Sequence, residues 1–158
     1  MTAPAPIVSR QGAVAAAIAA GFLATLVFTL LMHYGAPLLT GFPMDVTELL
    51  TAFFGDNAVL GTMAHYVTGS IAYPVAYLLV RPYLPASPIV RGLLCGAVLW
   101  LAANLLLLPI IGAGVFMSHL FQGNEAVMPE AASLIGHVAF GLVLANLVEW
   151  ALSERGGT

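Results

Sequence analysis

The sequence predicts an all-α membrane protein, a four-helix transmembrane bundle with a short interfacial helix at its outer end. Three observations predict it. Hydrophobic residues make up 61% of the chain and charged residues 7%, against roughly 25% charged in an average soluble domain. Long apolar runs at about 13–38, 58–80, 92–112 and 131–152 can each cross a hydrocarbon layer, which takes about 20 apolar residues as a helix. The basic residues are Arg10, Arg81, Arg91 and Arg155, with no lysine, and all fall at run ends that share one side. The positive-inside tendency makes that side cytoplasmic. The expected placement is multi-pass in a bacterial inner membrane, with both termini in the cytoplasm.

The first helix is expected over about Gly12 to Leu38. Its apolar stretch exceeds the length of a signal-peptide core, and no small-x-small cleavage site follows it, so it reads as a retained span. It bends near Gly35-Ala36-Pro37, because proline removes a backbone donor and disfavours helix just before it. Next comes GFPMDVTELLTAFFGDN. Asp45, followed three residues later by Glu48, marks a helix start over 45–54, since an Asp side chain accepts the orphan amide protons of a first turn. Val46, Leu49, Leu50, Phe53 and Phe54 give it one apolar face, suited to the outer interface or to folding back on the bundle.

The second helix spans about Val59 to Val80 and leaves through RPYLPASP, a stiff turn. The third runs from Arg91 to Leu108, where Pro109, Gly112 and Gly114 break it. Broken backbone at membrane depth is tolerated only against protein or a wet cavity. Pro129 in the first turn of the fourth helix, with Glu130 beside it, is an ordinary helix start. That helix ends near Leu152, with Trp150 at interface depth, and SERGGT reads as a free tail. Residues 1–158 form one domain. The net charge of −3 and the absence of basic clusters exclude nucleic acid as a partner. Cys95 lies alone inside the third run and reads as a small core residue.

Each predicted span carries small or polar residues every four positions. They are Gly21, Thr25, Thr29 and His33; Gly61, His65, Gly69, Tyr73 and Tyr77; Gly92, Gly96, Trp100 and Asn104; and Ser133, His137, Gly141, Ala145 and Glu149. Residues four apart share a helix face. In lipid, small residues let helices approach and polar ones bond across the interface, so these stripes are expected to form the bundle interior.

His33, His65, His119 and His137 all come out toward the side opposite the arginines. His33, His65 and His137 sit roughly 7–11 Å below the outer helix ends at about 1.5 Å per residue. Three imidazoles at one depth, with Asp45 on the adjoining segment, are candidate metal ligands. Three His with a carboxylate or water suit zinc, copper or iron, and a methionine sulfur from Met32, Met44 or Met63 favours copper(I). His65 and His137 alone, facing each other, suit a b-type haem. Plainer readings stand beside these. A membrane histidine is often helix–helix glue, and HExxH, CxxC and a His pair four apart are all missing. Capping fully explains Asp45. Asn104 reads as an interhelical hydrogen bonder, Glu149 as a residue reaching water, His119 as a solvated loop residue, and Trp100, Tyr66, Tyr73 and Tyr77 as packing.

The strings GFLATLVFTLLMHYGAPLLTGFPMDVTELL, GTMAHYVTGSIAYPVAYLL, RGLLCGAVLWLAANLLLLPIIGAGVF and LIGHVAFGLVLANL resemble a family of small four-span bacterial membrane proteins of unknown function over most of the chain. Pro43-Met44-Asp45, the His65 segment, Arg91-Gly92 with Trp100, the Pro109–Gly112 break and Gly136-His137 carry the resemblance. It covers His65 and His137 more clearly than His33. It implies the fold and no activity. Three functional classes follow from the residues: a redox or metal-handling protein with a histidine site near the periplasmic face, an accessory or assembly subunit of a membrane complex, and a small oligomeric transporter. The expected partners are the lipid bilayer, other membrane subunits or a second copy. The sequence points to no reaction.

Overall fold

The computed structural model describes residues 10–85 and 87–154. Arg155 and the rest of the predicted tail lie outside the described residues. Helix α1 is Arg10–Thr40, α2 is Val46–Phe53, α3 covers 58–83, α4 is Pro88–Ile110 and α5 is Val127–Glu154. Helices α1, α3, α4 and α5 are the long ones among the described residues. Three helical stretches, Arg10–Thr40, Pro88–Ile110 and Gly123–Ser153, are long and apolar enough to cross a membrane. The reading of 58–80 as a fourth span is not supported on that criterion. His65, Tyr66, Thr68, Ser70, Tyr73 and Tyr77 dilute the apolarity of α3.

Neighbouring long helices run antiparallel, and contacts at small residues fix their register. On the α4–α5 seam, a methyl added to Gly96 would lie 2.5 Å from the His137 carbonyl oxygen and 2.6 Å from the Val138 Cα. One added to Gly92 would lie 2.7 Å from the Leu142 Cα. Only glycine allows this approach, which is the close backbone packing expected of helices in lipid. On the α1–α3 seam, Gly21 lies against Pro74 and Gly69 against Thr25, and Thr29 bonds to His65. Helix α1 also packs on α5, where Gly136 sits under Met32 and Phe28. Most of the predicted stripe positions thereby lie on the seams, with His33 an exception. Thr25, Tyr77 and Asn104 are almost wholly buried, beside a core of Ala17, Ala24, Leu144 and Val148.

Three long helices contain one wide turn each, over Leu31–Gly35, Thr68–Ala72 and Ala103–Leu107. Each lies just before a proline: Pro37, Pro74 and Pro109. In each, the residue preceding the proline sends its N–H back five residues, from Ala36 to Leu31, Tyr73 to Thr68 and Leu108 to Ala103. Proline has no N–H and its ring crowds the previous turn; widening that turn is one way to relieve both.

The predicted outer helix is present as α2. Asp45 caps it, accepting from the Thr47 amide at 2.8 Å and the Thr47 hydroxyl at 2.7 Å. It folds back across the start of α3, with the Thr51 backbone lying on Gly61. Leu50 is buried, while Phe53 and Phe54 remain exposed on the outside.

Candidate functional site

The antiparallel order places the described arginines, Arg10, Arg81 and Arg91, at one end of the bundle. It places the histidines toward the other, together with α2. The histidine end contains a small cavity of about 10 Å³, on the order of one water. Phe28, Thr29, Met32, His33, Met44, Asp45 and His65 are among the residues that line it. The chain folds this way because the link to α2 doubles back over the wide turn of α1, where the Met44 amide donates to the Met32 carbonyl at 3.0 Å.

Within the cavity wall, His65 Nε2 lies 2.9 Å from the Thr29 hydroxyl. The Asp45 carboxylate is 4.0 Å from His33 Nδ1. Burial alone would push the Asp45 carboxyl up, but the hydrogen bonds from the Thr47 hydroxyl and amide and the Glu48 amide, with the nearby His33, hold it below the ordinary carboxylate range. Thr29 is in turn bonded to the Thr25 carbonyl, which fixes the hydroxyl that meets His65.

The sequence-predicted ligands are only partly brought together. His33, His65 and Asp45 share the cavity, whereas His137 does not line it. His137 Nδ1 instead bonds to the Ser133 carbonyl of its own helix at 2.8 Å. The Phe28 ring packs against both imidazoles, with centroids 6.1 Å from His65 and 5.0 Å from His137. Among the described residues, no three His, Cys, Asp or Glu are placed to hold a metal ion. His33 leaves its expected stripe, and its side chain is 46% exposed. The wide turn at Leu31–Gly35 holds an extra residue, so the four-residue spacing slips there and Met32 and Ala36 take the inward positions. His119 is an exposed loop residue, as expected, bonded to the Gly112 carbonyl.

Two clusters were missed by reading residues singly. At the arginine end, Glu149 does not reach out to water. It receives Arg81 Nε and Nη2 at 2.6 Å each, Arg91 Nη1 at 2.6 Å and the Tyr77 hydroxyl at 3.0 Å. The signal was present in the stripes, since Tyr77 and Glu149 close their stripes at the end that carries both arginines. At the histidine end, Asn104 makes no described interhelical bond. Its Nδ2 donates to the Trp100 carbonyl of the same helix at 3.0 Å, and its Oδ1 has no partner. Glu130 on α5 faces this pair.

A bundle of antiparallel apolar helices, with its charge gathered at the ends and its polar groups on the seams, defines a helical membrane protein. The chain belongs to a family of unknown function, DUF6789, whose family model matches residues 11–156. No curated protein matches it, and no solved structure does.

Proposed function

We propose that the chain is a four-span protein of a bacterial inner membrane, with both termini cytoplasmic, that binds a soft cation at its periplasmic mouth, copper(I) by donor chemistry. One observation carries the reading: an ion-sized cavity is lined by His33, His65, Met32, Met44 and Asp45, residues that carry two imidazoles, two thioethers and a carboxylate. Thioether and neutral imidazole donors favour copper(I) over harder ions. His33 lines the cavity while staying partly exposed, and Asp45 offsets the incoming charge. His137 and a haem have no part in this mouth.

The fourth span rests on α3. Its polar residues are turned largely into seams: His65 toward Thr29, Tyr77 toward Glu149, and Ser70 buried against α1. Polar side chains bonded within a bundle do not bar a helix from lipid.

The test is copper(I) titration and elemental analysis of the protein purified in mild detergent. The reading expects stoichiometric copper and no haem absorption band. His65→Ala and Met44→Leu should each weaken binding by more than tenfold while the helical circular dichroism signal is kept. Copper that fails to bind, or that binds equally well to both variants, overturns it.

A further inference from the structure

A second polar site lies on the other side of the bundle mouth, between α4 and α5. Asn104 is fully buried in the wide turn of α4, and its Oδ1 accepts nothing. Trp100, one turn earlier, has its indole Nε1 shut from solvent without an acceptor. Across the seam, both Glu130 carboxyl oxygens are shut from solvent and also lack a donor. The Asn104 amide and the Trp100 indole face that carboxyl. We infer that Glu130 is a proton-binding site: it takes a proton from the aqueous side and, as the neutral acid, bonds to Asn104 and Trp100.

Donors and acceptors do not balance around an ionised Glu130. With an ionised Glu130, the pocket offers two carboxylate oxygens and Asn104 Oδ1 as acceptors, against two free donors, the Trp100 N–H and the Asn104 amide hydrogen not given to the Trp100 carbonyl. Buried polar groups in such a deficit are costly, and a lone buried carboxylate is costlier still. One proton resolves both. Hydronium gives it to a carboxylate oxygen and leaves as water. The new O–H then donates to Asn104 Oδ1, and the Trp100 N–H donates to the other carboxyl oxygen.

Among the described residues, no cationic side chain is turned to Glu130 in place of that proton. His33 on α1 is turned to Asp45, and His137 on α5 is held by Ser133. His119 is held by Gly112, and Glu125 reaches the Gln122 amide. Tyr34 on α1 is 70% exposed. The loop over the site is strained as well. Phe116, whose ring packs edge-on to Trp100, and the buried Met117 both adopt left-handed backbone, with φ of 50° and 55°. Such strain persists only where the surroundings hold it, and it gathers at working sites.

The chain has only two tryptophans, so Trp150→Phe leaves Trp100 as the sole indole reporter. In the full chain in detergent, Trp100 fluorescence should show a one-proton pH transition, at constant sodium and potassium, that Glu130→Gln abolishes. The infrared difference spectrum should show an acid C=O band that vanishes on alkaline titration. Asn104→Leu should shift that band to higher frequency by removing its hydrogen bond. This band is read in the wild-type protein, so the proposal is tested even where Glu130→Gln fails to fold. A fluorescence response to sodium but not to pH, or an acid band unchanged in Glu130→Gln, overturns the assignment.

Discussion

The two ends of the bundle handle buried charge in opposite ways. At the arginine end, one carboxylate, Glu149, takes four donor contacts from Arg81, Arg91 and Tyr77, tying the ends of α3, α4 and α5 together. At the histidine end, Glu130, Asn104 and Trp100 carry polar atoms with no partner, the loop between α4 and α5 is strained, and a small cavity is left open. A closed network needs no ligand, so its role is to hold the helices. An open one is stable only if something else completes it, so that is where binding is expected.

The largest expected effect is at the closed end. Glu149→Ala strands two guanidinium groups, one of them mostly buried, and should destabilise the protein by about 3 kcal/mol, read as a lowered unfolding midpoint in detergent. Gly96→Val comes next. Its side chain meets the α5 backbone, which cannot rotate away, so the loss should approach about 3 kcal/mol, near the upper end of overpacking effects. The same assay measures it, and an unchanged midpoint would show that the α4–α5 seam is looser than described.

Asp45→Ala should lose about 1 kcal/mol with its cap, whereas Asp45→Asn should keep the cap. Because the folded Asp45 carboxyl lies below the ordinary range, its contribution is full above the unfolded value and fades as pH falls through the folded one. The Asn variant should therefore show a flatter stability profile in acid than wild type. Smallest of all is Asn104→Leu at the open end. It removes one bond within its own helix and the one inferred from the neutral Glu130 acid, so stability should stay within about 1 kcal/mol of wild type. A loss as large as that of Glu149→Ala would erase the distinction between the ends.

Much of the architecture was legible because apolar length, four-residue stripes and arginine placement are local properties. The outer helix was legible down to its cap, since Asp45 needs only Thr47 to act. His33 was misplaced because a fixed helical period cannot register the extra residue in the Leu31–Gly35 turn, although Pro37 marked where to look. Glu149 was misread, and the facing partners of Glu130 were missed, for a different reason. Each looks like an ordinary helix-end acid in sequence, and its partners lie on other helices. What separates them is whether those partners bring donors, and that depends on register between helices, which no single segment encodes.

The central claim is that these two ends face opposite sides of a membrane, with α3 crossing between them. It is tested most directly by single cysteines flanking α3 in a Cys95→Ala background, at Asp56→Cys and Ser87→Cys, labelled in intact cells with a membrane-impermeant maleimide. The account predicts that Asp56→Cys reacts from outside and that Ser87→Cys reacts only after permeabilisation. Equal labelling of both positions from one side would contradict it, because α3 would then not cross.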